Sequence, residues 1–171
     1  MHHFITLRCS YLLFLLTTGN SAPSPVDSMK NNFKLLADTT LIRIKKLINE
    51  FQISPNIVIS DVDYIPNTTL EKPLVLCSVT EKLNTFQLIF PKLPLDGMSQ
   101  IQSDVVGLLD ITKRLANSCR CPEKKPMSDA RLDASLKDNA AFHLLIANIA
   151  LTRLQELLRK LISNLDQLKN C

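Results

Sequence analysis

The chain has 171 residues and a formal net charge of +4 at pH 7, and aromatic residues make up only 5% of it. Its lysines and arginines are spread along the sequence, without the basic clusters and interleaved aromatic residues of nucleic-acid-binding proteins. The composition therefore argues against a nucleic-acid partner, and the length suits one domain with a substantial core.

The chain begins with a stretch that is typical of a secretory signal peptide. Arg8 precedes an apolar run at residues 11–16, and small residues follow as far as Ala22. The run is too short to cross a bilayer as a helix, and no later segment offers about 18 uninterrupted apolar residues. The sequence therefore predicts a signal peptide at residues 1–21 and a secreted, extracellular domain at residues 22–171, with no membrane insertion.

Four later segments have apolar residues at alternating spacings of three and four, the pattern of an amphipathic helix with one buried face. We expect helices at residues 29–51, 74–90, 99–117 and from 144 onward. Ser99 and Gln102 have the spacing of a capping box at the start of the third. The positions expected to be buried are Ala37, Leu41, Ile44, Ile48 and Phe51, then Leu76, Val79, Leu83, Phe86 and Phe90, then Ile101, Val105, Leu108, Ile111 and Leu115, and finally Leu144, Ala147, Leu151, Leu154, Leu158, Leu161, Leu165 and Leu168.

The connections between these helices predict how the chain is folded. The second and third helices are joined by about eight residues, which makes them antiparallel neighbours. The other two connections have about twenty residues each, contain prolines and show no helical period, although residues 62–65 suggest a short extended segment. Two long crossovers around one short turn predict an all-α four-helix bundle with the up-up-down-down topology of long-chain cytokines.

Four cysteines remain once the signal peptide is removed: Cys77, Cys119, Cys121 and Cys171. An even number in a secreted chain predicts two disulfides, and the sequence leaves all three connectivities open. In the predicted topology all four cysteines collect at one pole of the bundle.

Residue types that support catalysis are scarce. His143 is the one histidine outside the signal peptide, so no histidine cluster is available for zinc. Gly97 and Gly107 are the two glycines outside the signal peptide, so there is no glycine-rich phosphate loop. The sequence also lacks the G-x-S-x-G motif of serine hydrolases. We therefore expect no enzyme activity, no bound metal and no cofactor.

Asn67 begins the triplet Asn-Thr-Thr, an acceptor for N-glycosylation in an expected surface loop. Such triplets also arise by chance, so the sequence offers Asn67 as a candidate only.

Three functions fit the pattern of helices: a secreted helical cytokine, an exchangeable lipid carrier and a degenerate secreted enzyme. Lipid carriers gain by opening their bundles, whereas disulfides at one pole would hold this bundle closed. The pattern therefore favours the cytokine.

Four strings in chain order carry a resemblance to a known family. They are VDYIP at residues 62–66, QIQSDV at 100–105, IALTRLQ at 149–155 and LDQLKNC at 165–171. Together they resemble the leptin family of long-chain class I helical cytokines. The resemblance implies a monomeric hormone that binds and activates a leptin-type class I cytokine receptor, signals through Janus kinases and STAT factors and regulates energy balance and feeding. It implies no cofactor.

The resemblance also implies two sets of receptor contacts. A receptor-binding face would lie on the first and third helices, at Thr39, Arg43, Lys46 and Glu50 and at Gln100, Ser103, Gly107 and Asp110. A receptor-activation loop would consist of Val62, Asp63, Tyr64 and Ile65. The family's polar pair near the fourth helix has no counterpart here, where residues 143–148 read HLLIAN.

The same resemblance bears on the disulfides. It pairs Cys121 with the terminal Cys171, with Cys119 as the alternative partner. The family has one bridge, so Cys77 and Cys119 are a departure from it, and we expect them to form a second bond.

Overall fold

The computed structural model describes residues 24–51, 62–69, 76–93, 95–118, 129–138 and 140–167. All regular structure within these ranges is helical, which confirms the all-α prediction there. The helices are α1 (Pro25–Phe51), α2 (Leu76–Ile89), α3 (Met98–Ser118), α4 (Asp129–Asp138) and α5 (His143–Ser163), with short 3₁₀ turns at Phe90–Lys92, Ala140–Phe142 and Leu165–Gln167. The predicted signal peptide lies outside the described residues.

Helix α1 begins four residues earlier than its apolar stripe predicted. The side chain of Ser24 accepts a hydrogen bond from the backbone N–H of Asp27 at 3.1 Å and donates one to Oδ2 of Asp27 at 2.6 Å. Pro25 occupies the first helical position, where its missing N–H is no loss. The cap therefore sets the start of α1, about two turns before Phe33, the first buried side chain of the helix.

The capping box predicted at the start of α3 is wrong. The helix begins at Met98, and the side chain of Gln102 donates instead to the carbonyl of Phe90 at 3.1 Å. Gly97 makes the turn that precedes α3, because its φ of 81° lies in the left-handed region that side chains disfavour. The short connection thus brings the end of α2 beside the first turn of α3.

The second long connection contains a helix, α4, where the sequence predicted only a loop. Leu132 and Leu136 lie one turn apart on α4, and both are buried in the main core. Lys92, just after α2, forms an ion pair with Asp133 of α4. Two apolar positions are too few to reveal a helical period, so this helix could not be recognised from the sequence.

The segment at residues 62–65 is a turn and not the predicted extended piece. The N–H of Ile65 donates to the carbonyl of Val62 at 3.0 Å, which closes a four-residue turn. Ile65 is 1% exposed, so this turn is anchored in the core.

The buried stripes of α2 and α3 agree closely with the sequence prediction, and α5 departs from it at one end. All five residues predicted for α2 are buried, and Phe86 stacks on Phe90 with ring centroids 5.7 Å apart. In α5, Leu144 is 43% exposed while Leu145 and Ile146 are buried. A stripe with a 3.5-residue period drifts around a helix of 3.6 residues per turn, so its first residue leaves the core.

Two sets of contacts fix the direction of neighbouring helices. Leu36 of α1 lies near Gly107 of α3, and Leu47 lies near Gly97, so α1 and α3 run antiparallel. A second apolar cluster joins the start of α1, the start of α2 and the end of α3, and it contains Leu76, Leu115 and Ala116 with Val26 and Met29 packed against them. These three helix ends therefore meet at one pole of the bundle.

Candidate functional site

A buried carboxylate links α1 to α3. The side chain of Asp104 is only 4% exposed, and Nη1 of Arg43 donates to its Oδ1 at 2.6 Å and to its Oδ2 at 2.5 Å. Gln100 donates to Oδ1 at 3.2 Å. The hydroxyl of Thr40 donates to the carbonyl of Leu36 at 2.7 Å and lies 3.3 Å from Oδ2. Because a buried charge is stable only when it is paired and hydrogen-bonded, these contacts hold the two helices in one register.

The sequence did not single out Asp104, and it placed Arg43 on the outward surface. The side chain of Arg43 is 38% exposed and its guanidinium is bound to Asp104, so this residue joins the helices and presents only part of its side chain. Asp104 and Arg43 are 61 positions apart in the chain. The sequence did contain one signal for Asp104, which is an acidic residue next to Val105 in an apolar stripe. The partner of this acid, however, becomes apparent only in the folded structure.

Gly107 is also part of the contact between the helices. A Cβ atom at this position would lie 2.9 Å from Cδ2 of Leu36 on α1. The missing side chain leaves room for the end of the Leu36 side chain against α3. Gly107 is half-buried at this contact, whereas the resemblance implies a receptor-facing position for it.

We define the α1–α3 face as the eight residues that the resemblance implied: Thr39, Arg43, Lys46, Glu50, Gln100, Ser103, Gly107 and Asp110. Five of the eight are exposed, and they are Lys46, Glu50, Gln100, Ser103 and Asp110. Lys46 pairs with Glu50 at 3.9 Å, and Asp110 pairs with Arg114 one turn along α3. Thr39 donates its hydroxyl to the carbonyl of Leu35 at 2.9 Å. The structure thus brings the two sets onto adjacent antiparallel helices.

Two exposed apolar side chains lie beside this face, and neither is among the residues predicted from the sequence. Leu35 is 70% exposed and Ile42 is 72% exposed, and the two lie seven residues apart on α1 next to Thr39 and Lys46. The sequence contained a signal for this exposed pair, because two large apolar residues seven positions apart lie outside the buried stripe.

Arg153 of α5 holds the loop at residues 62–65 through two hydrogen bonds. Nη1 of Arg153 donates to the carbonyl of Val62 at 3.2 Å and to that of Ile65 at 2.6 Å. Val62 and Tyr64 are half-buried against the core, and Asp63 is exposed. In this conformation Asp63 is the residue of the loop that is most open to a partner.

Tyr64 carries a hydroxyl that is buried without a hydrogen-bond partner in the described part of the chain. Burial raises the pKa of this phenol above its ordinary value, because the charged form would lose its hydration. A buried hydroxyl without a partner costs about 1–3 kcal/mol.

Residues 67–69 continue this loop across α2 and α5. Nζ of Lys82 on α2 donates to the backbone carbonyl of Asn67 at 2.8 Å, to its Oδ1 at 3.0 Å and to the carbonyl of Thr69 at 2.8 Å. Lys160 on α5 donates to the carbonyl of Thr68 at 2.8 Å. The side chain of Asn67 is exposed.

The start of α5 presents apolar side chains. Phe142 is 50% exposed and Leu144 is 43% exposed, whereas Leu145 and Ile146 point into the core. The structure therefore provides no polar pair at residues 142–146.

The cysteines are only partly described. Cys77 is half-buried at the start of α2 and carries a free thiol, so the second bridge expected between Cys77 and Cys119 is not formed in the structure. Proximity of helix ends at one pole is insufficient for a bond, because a disulfide also needs its two Cβ atoms within about 4.5 Å. Cys119, Cys121 and Cys171 lie outside the described residues.

Neither a metal site nor a membrane span is found in the described ranges. No three histidine, cysteine or acidic side chains there are grouped so that they could hold a metal ion. No described helix is both long enough and apolar enough to cross a membrane.

An all-helical core in which neighbouring helices run antiparallel is consistent with the fold of a helical cytokine. The family model described as Leptin matches residues 25–171. The chain belongs to the leptin family, which is a family of hormones and not of enzymes. This membership confirms the resemblance that the four strings carried and the prediction that the chain is not an enzyme.

Individual relatives are similar over most of their length. The chain is 27% identical to leptin of Felis catus over 154 residues, which cover 86% of this chain and 87% of the relative. It is 27% identical to leptin of Ovis aries over 86% of this chain and 99% of the relative. It is 26% identical to leptin of Sminthopsis crassicaudata over 176 aligned positions, which cover 99% of each chain.

Proposed function

We propose that this protein is a secreted leptin-like hormone that binds and activates a leptin-type class I cytokine receptor and so regulates energy balance and feeding. Residues 1–21 act as a signal peptide and residues 22–171 as a monomeric extracellular ligand, and the receptor signals through Janus kinases and STAT factors. The family match over residues 25–171 is the observation that carries this function most directly.

The helices are proposed to follow the up-up-down-down order. The antiparallel contact of α1 with α3 supports this order, as does the pole where the starts of α1 and α2 meet the end of α3. The long connections before α2 and before α5 suit the two crossovers that such a bundle requires.

The α1–α3 face is proposed as the main receptor-binding surface. The pairing of Arg43 with Asp104 gives this surface a fixed shape before binding, which lowers the entropy lost on association. Leu35 and Ile42 add an exposed apolar patch beside the charged side chains. Apolar anchors surrounded by polar groups are the usual composition of a protein interface.

The loop at residues 62–65 is proposed to activate the receptor more than it contributes to affinity. Asp63 is open to direct contact, whereas the buried Ile65 seats the loop on the bundle. The two carbonyl contacts of Arg153 then keep the loop in position.

A single disulfide between Cys121 and Cys171 is proposed to fasten the end of the chain, with Cys119 as the alternative partner. Closing a loop of about 50 residues stabilises the fold by roughly 4 kcal/mol in the chain-entropy model. The free thiol of Cys77 agrees with a family pattern of one bridge. Peptide mapping without reduction identifies the partner of Cys171.

A reporter assay tests the proposed function. Cells that carry a leptin-type receptor and a STAT reporter are treated with the purified hormone and with a variant in which residues 62–65 are all alanine. The hormone should activate the reporter, and the variant should bind the receptor but fail to activate it. Absence of any response at saturating hormone would contradict the proposal and favour another helical cytokine family.

A further inference from the structure

Asn67 begins an acceptor triplet, and its side chain also makes hydrogen bonds in the folded protein. Asn67 is exposed in a segment without helix or strand structure, and Thr69 donates its hydroxyl to Oδ1 of Asn67 at 2.6 Å. Nζ of Lys82 donates to the same oxygen at 3.0 Å. Since the ammonium of Lys82 can only donate, the atom it contacts must be the amide oxygen, and Nδ2 is the other branch of the amide.

We infer that Asn67 carries an N-linked glycan, an inference that rests on the secretion step of the proposed function. Asn-x-Thr is the acceptor triplet of this modification, and its Thr69 hydroxyl is already in contact with the acceptor side chain. The two hydrogen bonds at Oδ1 orient the amide and leave its nitrogen on the opposite branch from Lys82 and Thr69.

The donor is a lipid-pyrophosphate-linked oligosaccharide of the secretory pathway. Nδ2 of Asn67 forms a bond to C1 of the first sugar, and the bond between C1 and the pyrophosphate oxygen breaks. The lipid pyrophosphate leaves with that electron pair, and Nδ2 gives up one proton. The product is still an amide, so Oδ1 continues to accept hydrogen bonds from Lys82 and Thr69.

The glycan stands away from the α1–α3 face. Residues 67–69 are held by Lys82 of α2 and Lys160 of α5, whereas the face is carried by α1 and α3. The sugar therefore does not cover the α1–α3 face. Loss of the glycan should leave receptor affinity unchanged.

Secretion of the full chain from eukaryotic cells, followed by digestion with an amide-cleaving glycosidase, tests this inference. The digested wild type should migrate faster on a gel, and its peptide should contain aspartate in place of Asn67. Asn67→Gln and Thr69→Ala should lose the shift, whereas Thr69→Ser should retain it because serine keeps the hydroxyl. Thr68→Ala is the matched control, since it alters the same loop but leaves the triplet intact, and it should behave as wild type.

Two outcomes overturn the inference, and they are distinguishable. If the secreted protein activates the reporter but yields an unmodified Asn67 peptide and no shift, the glycan is absent and the hormone function stands. If the chain is found only in the cytosol with its predicted signal peptide uncleaved, it does not enter the secretory pathway, and the proposed secretion and the glycan both fail.

Discussion

Arg43 on α1 donates two hydrogen bonds, at 2.6 Å and 2.5 Å, to the carboxylate of Asp104 on α3. The acid is almost completely buried, whereas the base is 38% exposed. The pair links the two helices, and its Arg43 also belongs to the α1–α3 face. Removing one residue of the pair leaves the charge of the other unpaired. The substitution should therefore destabilise the fold more than the loss of a surface ion pair would.

Arg43→Ala should lower the free energy of unfolding by about 2 kcal/mol, below the range for fully buried pairs because Arg43 is partly exposed. Urea denaturation measures this change. Lys46→Ala is the matched control, because Lys46 is 81% exposed in its pair with Glu50 and should cost less than about 0.5 kcal/mol. Equal losses of stability for the two substitutions would show that the buried charge of Asp104 does not need Arg43 as its partner.

Substitution by alanine should have different effects on stability at the two glycines Gly97 and Gly107. Gly107→Ala should be neutral or should stabilise by up to about 1 kcal/mol, since alanine favours helix and the close atom is the flexible end of Leu36. Gly97→Ala should destabilise by about 1–2 kcal/mol, because φ of 81° is unfavourable for a side chain. Thermal unfolding of both variants checks this order, and the reverse order would contradict it.

Tyr64→Phe should stabilise the fold by about 1 kcal/mol, because it removes a buried hydroxyl without a hydrogen-bond partner in the described residues. Because the pKa of this phenol is raised, the difference in stability between wild type and Tyr64→Phe depends on pH. Wild type keeps its full stability below the unfolded-state pKa of about 10 and loses stability as pH rises through the higher folded-state pKa. Tyr64→Phe should lack this loss. A variant that is less stable than wild type at pH 7 would show that the hydroxyl has a partner.

Arg153→Met should loosen the loop at residues 62–65 without opening the bundle. Methionine retains most of the apolar contact but cannot donate to the carbonyls of Val62 and Ile65. We expect faster proteolytic cleavage near residue 62 and weaker receptor activation at unchanged affinity. Unchanged cleavage would contradict the anchoring role of Arg153.

Ile42→Ser should weaken receptor binding while leaving stability within about 0.5 kcal/mol, because Ile42 is 72% exposed. Ile44→Ala on the same helix is the contrast, since Ile44 is fully buried and its truncation should cost about 2–5 kcal/mol. Calorimetry of unfolding and of receptor binding separates the two effects. Normal binding by the serine variant would exclude Ile42 from the interface.

Residues that lie on a regular apolar stripe were the most predictable part of the fold. The predicted stripe from Leu76 to Phe90 is confirmed at every position, because the spacing of apolar residues in the local sequence is enough to define it. Helix α4 was missed, because Leu132 and Leu136 are the only large apolar residues in its sequence. The start of α1 was misplaced, because it depends on the cap made by Ser24 and not on burial.

The site was less predictable than the fold, since its decisive contacts join distant positions. The bond from Arg153 to the carbonyl of Ile65 spans 88 positions and uses a backbone atom, which has no signature in sequence. The link from Arg43 to Asp104 likewise exists only once α1 and α3 are antiparallel. The resemblance located both segments, but it could not distinguish the exposed Asp63 from the buried Ile65.

Binding of the purified hormone to the ectodomain of a leptin-type receptor tests the central claim most directly. Surface plasmon resonance compares wild type with Ser103→Arg, which places a large charged side chain on the exposed part of the α1–α3 face, and with Glu156→Arg on α5 as the control. Saturable binding by wild type and the control, with affinity at least about tenfold weaker for Ser103→Arg, is the predicted result, and tenfold corresponds to about 1.4 kcal/mol. Equal binding by all three proteins, or no binding by wild type, would contradict the account.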